Sequence, residues 1–464
     1  MASLSYLAFL GAVLALCALF PRWRVGALLA ASAAFVAVEA GALVFASILA
    51  LALATWALGR SLQAELHERR QLRLLWAGVG LNLLPLILFK YVALLPALGL
   101  SYFCFSSIAY LSDLYFKTAE AQPFLARHLL GAFFFPKYIQ GPIERPRDLD
   151  SQWNSLGQAD GAQLRLGAVL IVWGLFKKLV VAERLGAMVD PVFQDLAAHS
   201  AGQRLWAAYL FSAQLFADFS GYTDLALGSA LLLGIRLTQN FDGPYAAVSM
   251  VDFWRRWHLS LSTWIRDYVF QPLQMASRNW GLAGAALSLF LAFFLMGVWH
   301  GATWGYAVFG LIQGGLMAGQ LLWQNYYKGL RKRFGGPKEL LPDVLGWLLT
   351  FHVVILSFVY FRAASLGDAW LLLRSAPEGW LAWARSWPAA AEWAGSACLG
   401  QPGADAAIAG LGVLLMIVVY PLRKRWRWES MPAAPRWALY LGLLFVTLLA
   451  ARYYAVKQFI YAQF

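Results

Sequence analysis

His300 sits in FLMGVWHGATWG, residues 294–305, a run otherwise suited to lipid or a packed core. An imidazole that titrates near neutrality is costly to bury in hydrocarbon, so something must offset that cost. Gly297 and Gly301 let backbones or a substrate approach closely, and Trp299 and Trp304 could wall a pocket. No other His, Cys, Asp or Glu lies at ligand spacing from His300, so neither a redox nor a structural metal site is indicated. Proton abstraction is the chemistry that suits a lone imidazole at this depth.

A second histidine, His258, lies in VDFWRRWHLSLSTWIRDYVF, residues 251–270. Read at the helical repeat, Phe253, Trp254, Trp257, Leu261, Trp264, Ile265 and Tyr268 share one face. Arg255, Arg256, Ser262, Thr263 and Arg266 share the other, which predicts one amphipathic helix lying at a membrane interface. His258 falls at the boundary between the faces, near Ser262 and Ile265, where it can point inward close to the water line. Asn240 and Asp242, just before Pro244, suit a turn. Asn240, Arg255 and Ser262 are also candidates for contact with a substrate. Asp113, Lys177, Lys178, Asp218 and Asp224 stand in apolar surroundings, where ion-paired structure is the expected role.

The elements that must position these groups are membrane helices. Of the 464 residues, 61% are hydrophobic and 13% charged, against about 25% charged in soluble domains. Apolar segments follow one another without a polar stretch long enough to fold alone, which predicts a single all-α, polytopic membrane domain over residues 1–464. The net charge of +13 comes mostly from Lys and Arg in short loops, where they set orientation, so no nucleic-acid partner is expected. Cys17, Cys104 and Cys398 are scattered and suggest neither zinc nor a disulfide framework.

Measured against the roughly 20 residues that a crossing helix needs, apolar runs fall at 3–20, 25–39, 41–58, 74–90, 92–112, 163–183, 204–219, 224–237, 282–299, 302–323, 344–361, 405–421 and 437–455. This predicts 11 to 13 crossings, with 25–58 either two crossings or a shallow hairpin around Glu39. The stretch LLGAFFFPKYIQGPIERP, residues 129–146, reads as re-entrant or interfacial. The Trp-rich segment 368–400, broken by Pro377 and Pro388, reads as helices on the interface. Arg60, Arg69, Arg70 and Arg73 mark residues 59–73 as cytoplasmic, as RKRWRW does for 423–428. Both chain ends then fall on the outer side.

NFDGPY, DFWRRWHLSLSTWIRDYVF and GVWHGATW, with FPKYIQGPIERPRDL upstream and FVYFRA downstream, resemble the membrane-bound O-acyltransferase family. Within it the resemblance is to the bacterial branch that acetylates alginate or transfers D-alanine to teichoic acid. It spans residues 100–361, the expected core, and returns in the tail of the 362–464 segment. It implies an all-helical enzyme of the bacterial inner membrane, thin at its centre, with the active-site histidine in a tunnel joining the two sides. His300 matches the family's catalytic histidine and His258 the histidine of its RWH motif. After DYVFQPL the alginate branch continues with a Gly-Gly-Asn loop, whereas this chain reads QMASRNW, so the acceptor stays open.

The resemblance implies acyl transfer, most simply of acetyl, to a hydroxyl of an extracytoplasmic polysaccharide or partner acyltransferase. The donor is a cytoplasmic thioester, an acyl-CoA or an acyl-carrier protein, with no bound cofactor. His300 would take the hydroxyl proton, and a water-poor site would protect the thioester. D-alanyl transfer from a carrier protein is the alternative within the class; a transporter or flippase without covalent transfer is the alternative outside it. The tail VKQFIYAQF resembles the Phe-Ile-Tyr-Phe-x-Phe ending of the branch, with Ala462 in place of the second aromatic. It suggests Tyr461 either as an acyl relay or as part of an aromatic anchor at the interface.

Overall fold

The computed structural model describes residues 2–91, 99–334, 342–385, 403–425 and 432–451, and every regular element among them is helical. Among the described residues, seven helices are long and apolar enough to cross a membrane: Pro21–Ala40, Ala42–Ala64, Glu68–Tyr91, Arg278–His300, Trp304–Arg333, Asp343–Arg362 and Ala433–Ala450. Leu4–Leu19 and Asp405–Tyr420 are shorter apolar helices. The protein is an all-α, multi-pass membrane protein. Large apolar side chains such as Leu348, Leu349, Leu448 and Leu449 are exposed on these helices, as lipid contact requires. The chain packs as two compact units.

One unit takes residues 1–175 and 221–240. It holds α1 (Leu4–Leu19), α2 (Arg24–Ala40), α3 (Ala42–Ala64), α4 (Glu68–Tyr91), α5 (Leu100–Tyr115), α6 (Leu125–Phe133), α7 (Phe135–Tyr138), α8 (Pro146–Asp150) and α9 (Gly161–Leu175). Residues 25–58 therefore form two helices, α2 and α3, both of spanning length, rather than a shallow hairpin. Phe9, Phe35 and Phe135 pack in mutual ring contact, and the Tyr6 hydroxyl bonds Ser229 at 2.9 Å. The 129–146 stretch is neither a span nor one helix. It breaks into α6, the four-residue α7 and a loop, and residues 133–144 are buried throughout. Its backbone is held by side chains: Ser106 donates to the Glu144 carbonyl at 2.9 Å, and the Thr238 backbone N–H and hydroxyl both donate to the Glu144 carboxylate. Burial pushes the Glu144 pKa up, opposed by those two donors and by the Lys137 ammonium.

The other unit takes residues 176–220 and 241–460. A π-helical stretch, Phe176–Ala182, leads into α10 (Glu183–Gln194). Next comes α11 (Ala201–Leu232), one helix of 32 residues where the apolar pattern predicts two spans; its residues from 221 on belong to the first unit. Residues 220–223, which the pattern leaves between those spans, are helical. Asp218 is buried on the helix and paired, its carboxylate 2.6 Å from Lys178 Nζ, which also meets Glu183 at 2.9 Å. Lys177 bonds the Ser220 hydroxyl at 3.0 Å. One buried ammonium, Lys178, thus meets two buried carboxylates, and the other is held by a hydroxyl, so the polar residues stay helical.

The same unit continues with α12 (Met250–Trp254), α13 (Leu259–Ile265), a π turn at Arg266–Phe270, α14 (Gln271–Ala276), α15 (Gly281–His300), α16 (Trp304–Phe334), α17 (Asp343–Arg362), α18 (Leu366–Arg385), α19 (Gly403–Arg425) and α20 (Ala433–Ala450). Pro377 does not break α18, which runs through it with Ala369, Leu372, Ser375, Ala376 and Gly379 on its buried face. Residues 386–402, with Pro388 and Cys398, lie outside the described residues.

Candidate active site

The segment around His258 is two helices, not one. Between α12 and α13 the chain turns at His258, whose backbone is left-handed with φ 45° and ψ 55°. That conformation costs a residue with a Cβ roughly 1–3 kcal/mol and persists where the surroundings over-determine it. Here the imidazole caps α13: Nδ1 accepts the Leu261 backbone N–H at 3.4 Å, and the His258 carbonyl accepts that of Ser262 at 2.9 Å. The ring points inward, as the boundary position allows. It is 0% exposed, with the Phe219 ring edge-on at 4.7 Å. Burial pushes its pKa down to about 3, so the ring is neutral at physiological pH.

The amphipathic reading of the flanking residues survives the break. Phe253, Trp254, Trp257, Leu261, Trp264 and Ile265 are buried, while Arg255 and Arg266 are exposed. The Ser262 hydroxyl donates to the Trp257 carbonyl at 3.0 Å, a staple across the His258 turn. Trp254 Nε1 donates to Gln313 Oε1 at 3.1 Å, and Gln313 Nε2 donates to Ser357 Oγ at 2.9 Å. This buried amide ties the His258 segment to α16 and α17.

His300 is the last residue of α15 and is 3% exposed. Its ring is surrounded by aromatics: Trp299 at 4.6 Å, Phe361 edge-on at 4.8 Å, and Tyr306 and Phe309 each at 6.4 Å. The two glycines are needed for close approach of protein to protein. A Cβ on Gly297 would strike Gly310 and the Tyr306 carbonyl, and one on Gly301 would strike the Tyr306 ring. The α15–α16 hairpin is therefore pressed together beside the imidazole. Residues 302–304 are exposed immediately beyond it, and Trp304 is 75% exposed. Phe361 and Tyr306, not Trp304, line the His300 ring with Trp299. The end of α17 is fixed in turn, since Arg362 bonds Asp190 at 2.8 Å and lies over the Phe193 ring.

The two histidine segments belong to one aromatic network. Trp257 meets Phe358 at 5.2 Å, Phe358 meets Phe361 at 6.0 Å, and Phe361 meets His300. Phe219, Tyr306, Phe309, Gln313, Phe358 and Phe361 are the residues that sequence reasoning missed. The helical spacing of Phe358 and Phe361 in FVYFRA was the available signal.

Asn240 belongs to the first unit, where it is buried and its Nδ2 donates to the Thr223 hydroxyl at 3.4 Å. The expected turn at 240–244 is present: Gly243 has φ 61°, and the Tyr420 hydroxyl donates to the Asp242 carboxylate. Tyr461 lies outside the described residues, as does the rest of the tail from residue 452.

Residues 122–362, more than half of the chain, match the membrane-bound O-acyltransferase family. The probable alginate O-acetylase AlgI of Pseudomonas aeruginosa is 34% identical over 280 residues, covering 60% of this chain and 50% of that protein. The peptidoglycan O-acetyltransferase of Helicobacter pylori is 32% identical over 312 residues, 62% of this chain and 58% of that one. The teichoic acid D-alanyltransferase of Streptococcus thermophilus is 32% identical over 319 residues, 62% and 75%. The chain thus spans about half the length of the alginate acetylase it matches. With both histidine motifs inside the matched region, the chain belongs to the membrane-bound O-acyltransferase family.

Proposed function

We propose that this protein is an O-acyltransferase of the bacterial inner membrane. It moves an acyl group, acetyl in the simplest case, from a cytoplasmic thioester to a hydroxyl of an extracytoplasmic polysaccharide or partner protein. The observation that carries the reading is His300, buried among Trp299, Tyr306, Phe309 and Phe361 yet followed within two residues by an exposed turn. As the acceptor hydroxyl attacks the thioester carbonyl, an imidazole nitrogen of His300 takes its proton. The tetrahedral adduct then expels the thiolate, which recovers that proton and leaves as thiol. The new C–O bond replaces the C–S bond, and His300 ends as it began. His258, neutral and fixed at the α13 cap, acts as a positioning group in this scheme.

Acetyl transfer is favoured by the alginate and peptidoglycan relatives, and D-alanyl transfer is the second reading, motivated by the teichoic acid relative. Mass spectrometry of the surface polymers of cells with and without the protein tests both. Loss of acetyl esters supports the first, loss of D-alanyl esters the second, and unchanged acylation contradicts acyl transfer altogether. Tyr461→Phe in the same assay tests the relay: full acylation excludes it, and loss supports it.

A further inference from the structure

The turn after α7 holds a buried side chain that no part of the proposed chemistry uses. Gln140 is 1% exposed, and among the described residues neither its amide oxygen nor its amide nitrogen has a hydrogen-bond partner. The turn itself is rigid. The Gly141 backbone N–H donates to the Lys137 carbonyl at 3.0 Å, and a Cβ on Gly141 would collide with the Lys137 backbone. Glu144, three residues on, is clamped by Thr238 and Ser106. The buried Lys137 and Glu144 flank the turn on either side, and tyrosines supply the other polar groups near it. The buried Tyr222 lies beside the backbone at Ile139 and Gln140, near Tyr6 and Tyr102. The buried Tyr102 hydroxyl is likewise without a protein partner among the described residues.

Leaving a buried amide unsatisfied is costly, whereas a leucine of similar volume would sit there at no such cost. Buried polar groups retained without a partner mark positions where a ligand, or water, completes the set. A carboxamide offers one acceptor and two donors and is neutral, so it matches another neutral amide better than it matches a charge.

We propose that Gln140 is a substrate-binding residue whose carboxamide pairs with a neutral amide group on one of the two substrates. The proposal rests on the acyl-transfer reading. Two sources carry that chemistry: the amides of the pantetheine arm that bears the thioester on coenzyme A and on carrier proteins, and the N-acyl amide of an amino sugar in the acceptor polymer.

The test compares purified wild type with Gln140→Leu, and with Gln140→Met as a second variant that keeps the chain length. Melting temperature is read alone, with acetyl-coenzyme A, and with an N-acetylglucosamine oligosaccharide; turnover is read from acetyl-coenzyme A. Without ligand, Gln140→Leu should melt no lower than wild type, because it removes an unsatisfied buried group. With ligand, one of the two probes should lose its stabilising shift, and KM for that substrate should rise roughly tenfold or more with kcat little changed. Which probe loses its effect identifies the source. If both variants keep both ligand shifts and both KM values, Gln140 holds water only and the proposal falls, with the acyl-transfer reading untouched. If wild type is neither stabilised by either probe nor active, transfer from acetyl-coenzyme A falls and takes the proposal with it.

Discussion

Trp257 and Phe358 meet with ring centroids 5.2 Å apart, which joins the segment ending at His258 to the helix whose Phe361 covers His300. Phe253, stacked on Trp257, and Phe309, stacked on Phe358, extend the contact on both sides. Phe358→Ala should therefore lower stability by roughly 3 kcal/mol and loosen both histidines together. Thermal unfolding in detergent checks the first effect, and acyl transfer per folded molecule checks the second. An unchanged melting temperature would contradict the packing described.

Gly301 leaves room for the Tyr306 ring. A methyl at that place forces the ring away, so Gly301→Ala should cost about 1–3 kcal/mol and most of the activity. Gly301→Ala combined with Tyr306→Leu should recover stability, since the smaller side chain can yield, while activity stays below wild type because the aromatic wall is changed. Equal melting of Gly301→Ala and wild type would show that the contact is absent.

His258 gives a pH dependence with a definite sign. The unfolded chain protonates this ring near pH 6.5, whereas burial holds the folded value at about 3. Its contribution to stability is complete above about pH 6.5 and is lost progressively as pH falls toward 3, on the order of 5 kcal/mol over that window. His258→Asn tolerates the left-handed backbone and does not titrate, so its melting temperature should decline less steeply with acid. Parallel pH profiles for the two proteins would contradict the assignment.

Orientation is testable at the three-residue connection between α3 and α4. His67 is exposed there, in the stretch that carries Arg60, Arg69, Arg70 and Arg73. A His67→Cys variant should be labelled by a membrane-impermeant thiol reagent only after the cells are opened. Labelling in intact cells would reverse the topology.

Much of this was legible in the sequence because membrane helices announce themselves. Length and apolarity placed α3, α15 and α17 within a few residues of their ends, apart from the polar last turn of α3. The reading failed where polar residues stay helical by pairing at a distance. The gap read between 219 and 224 lies inside α11, whereas Asp218 is ion-paired as expected, with Lys178 40 positions away. It also failed at His258, where the periodicity of VDFWRRWHLSLSTWIRDYVF is that of one helix. A left-handed residue that keeps the same apolar face on both sides leaves no trace in a pattern of residue types. The burial of His300 was readable from its surroundings in the chain, but its walls were not. Phe361 comes from another helix, and the exposed Trp304 was a plausible neighbour by position alone.

The central claim is that His300 moves the reacting proton, and the direct measurement is acyl transfer to the surface polymer by His300→Ala at matched membrane protein level. The variant should insert and melt close to wild type, because the ring ends α15 and packs against aromatics that can close partly around alanine. Acyl esters on the polymer, counted by mass spectrometry, should fall to the level of cells lacking the protein. Acylation at the wild-type level in His300→Ala would contradict the account.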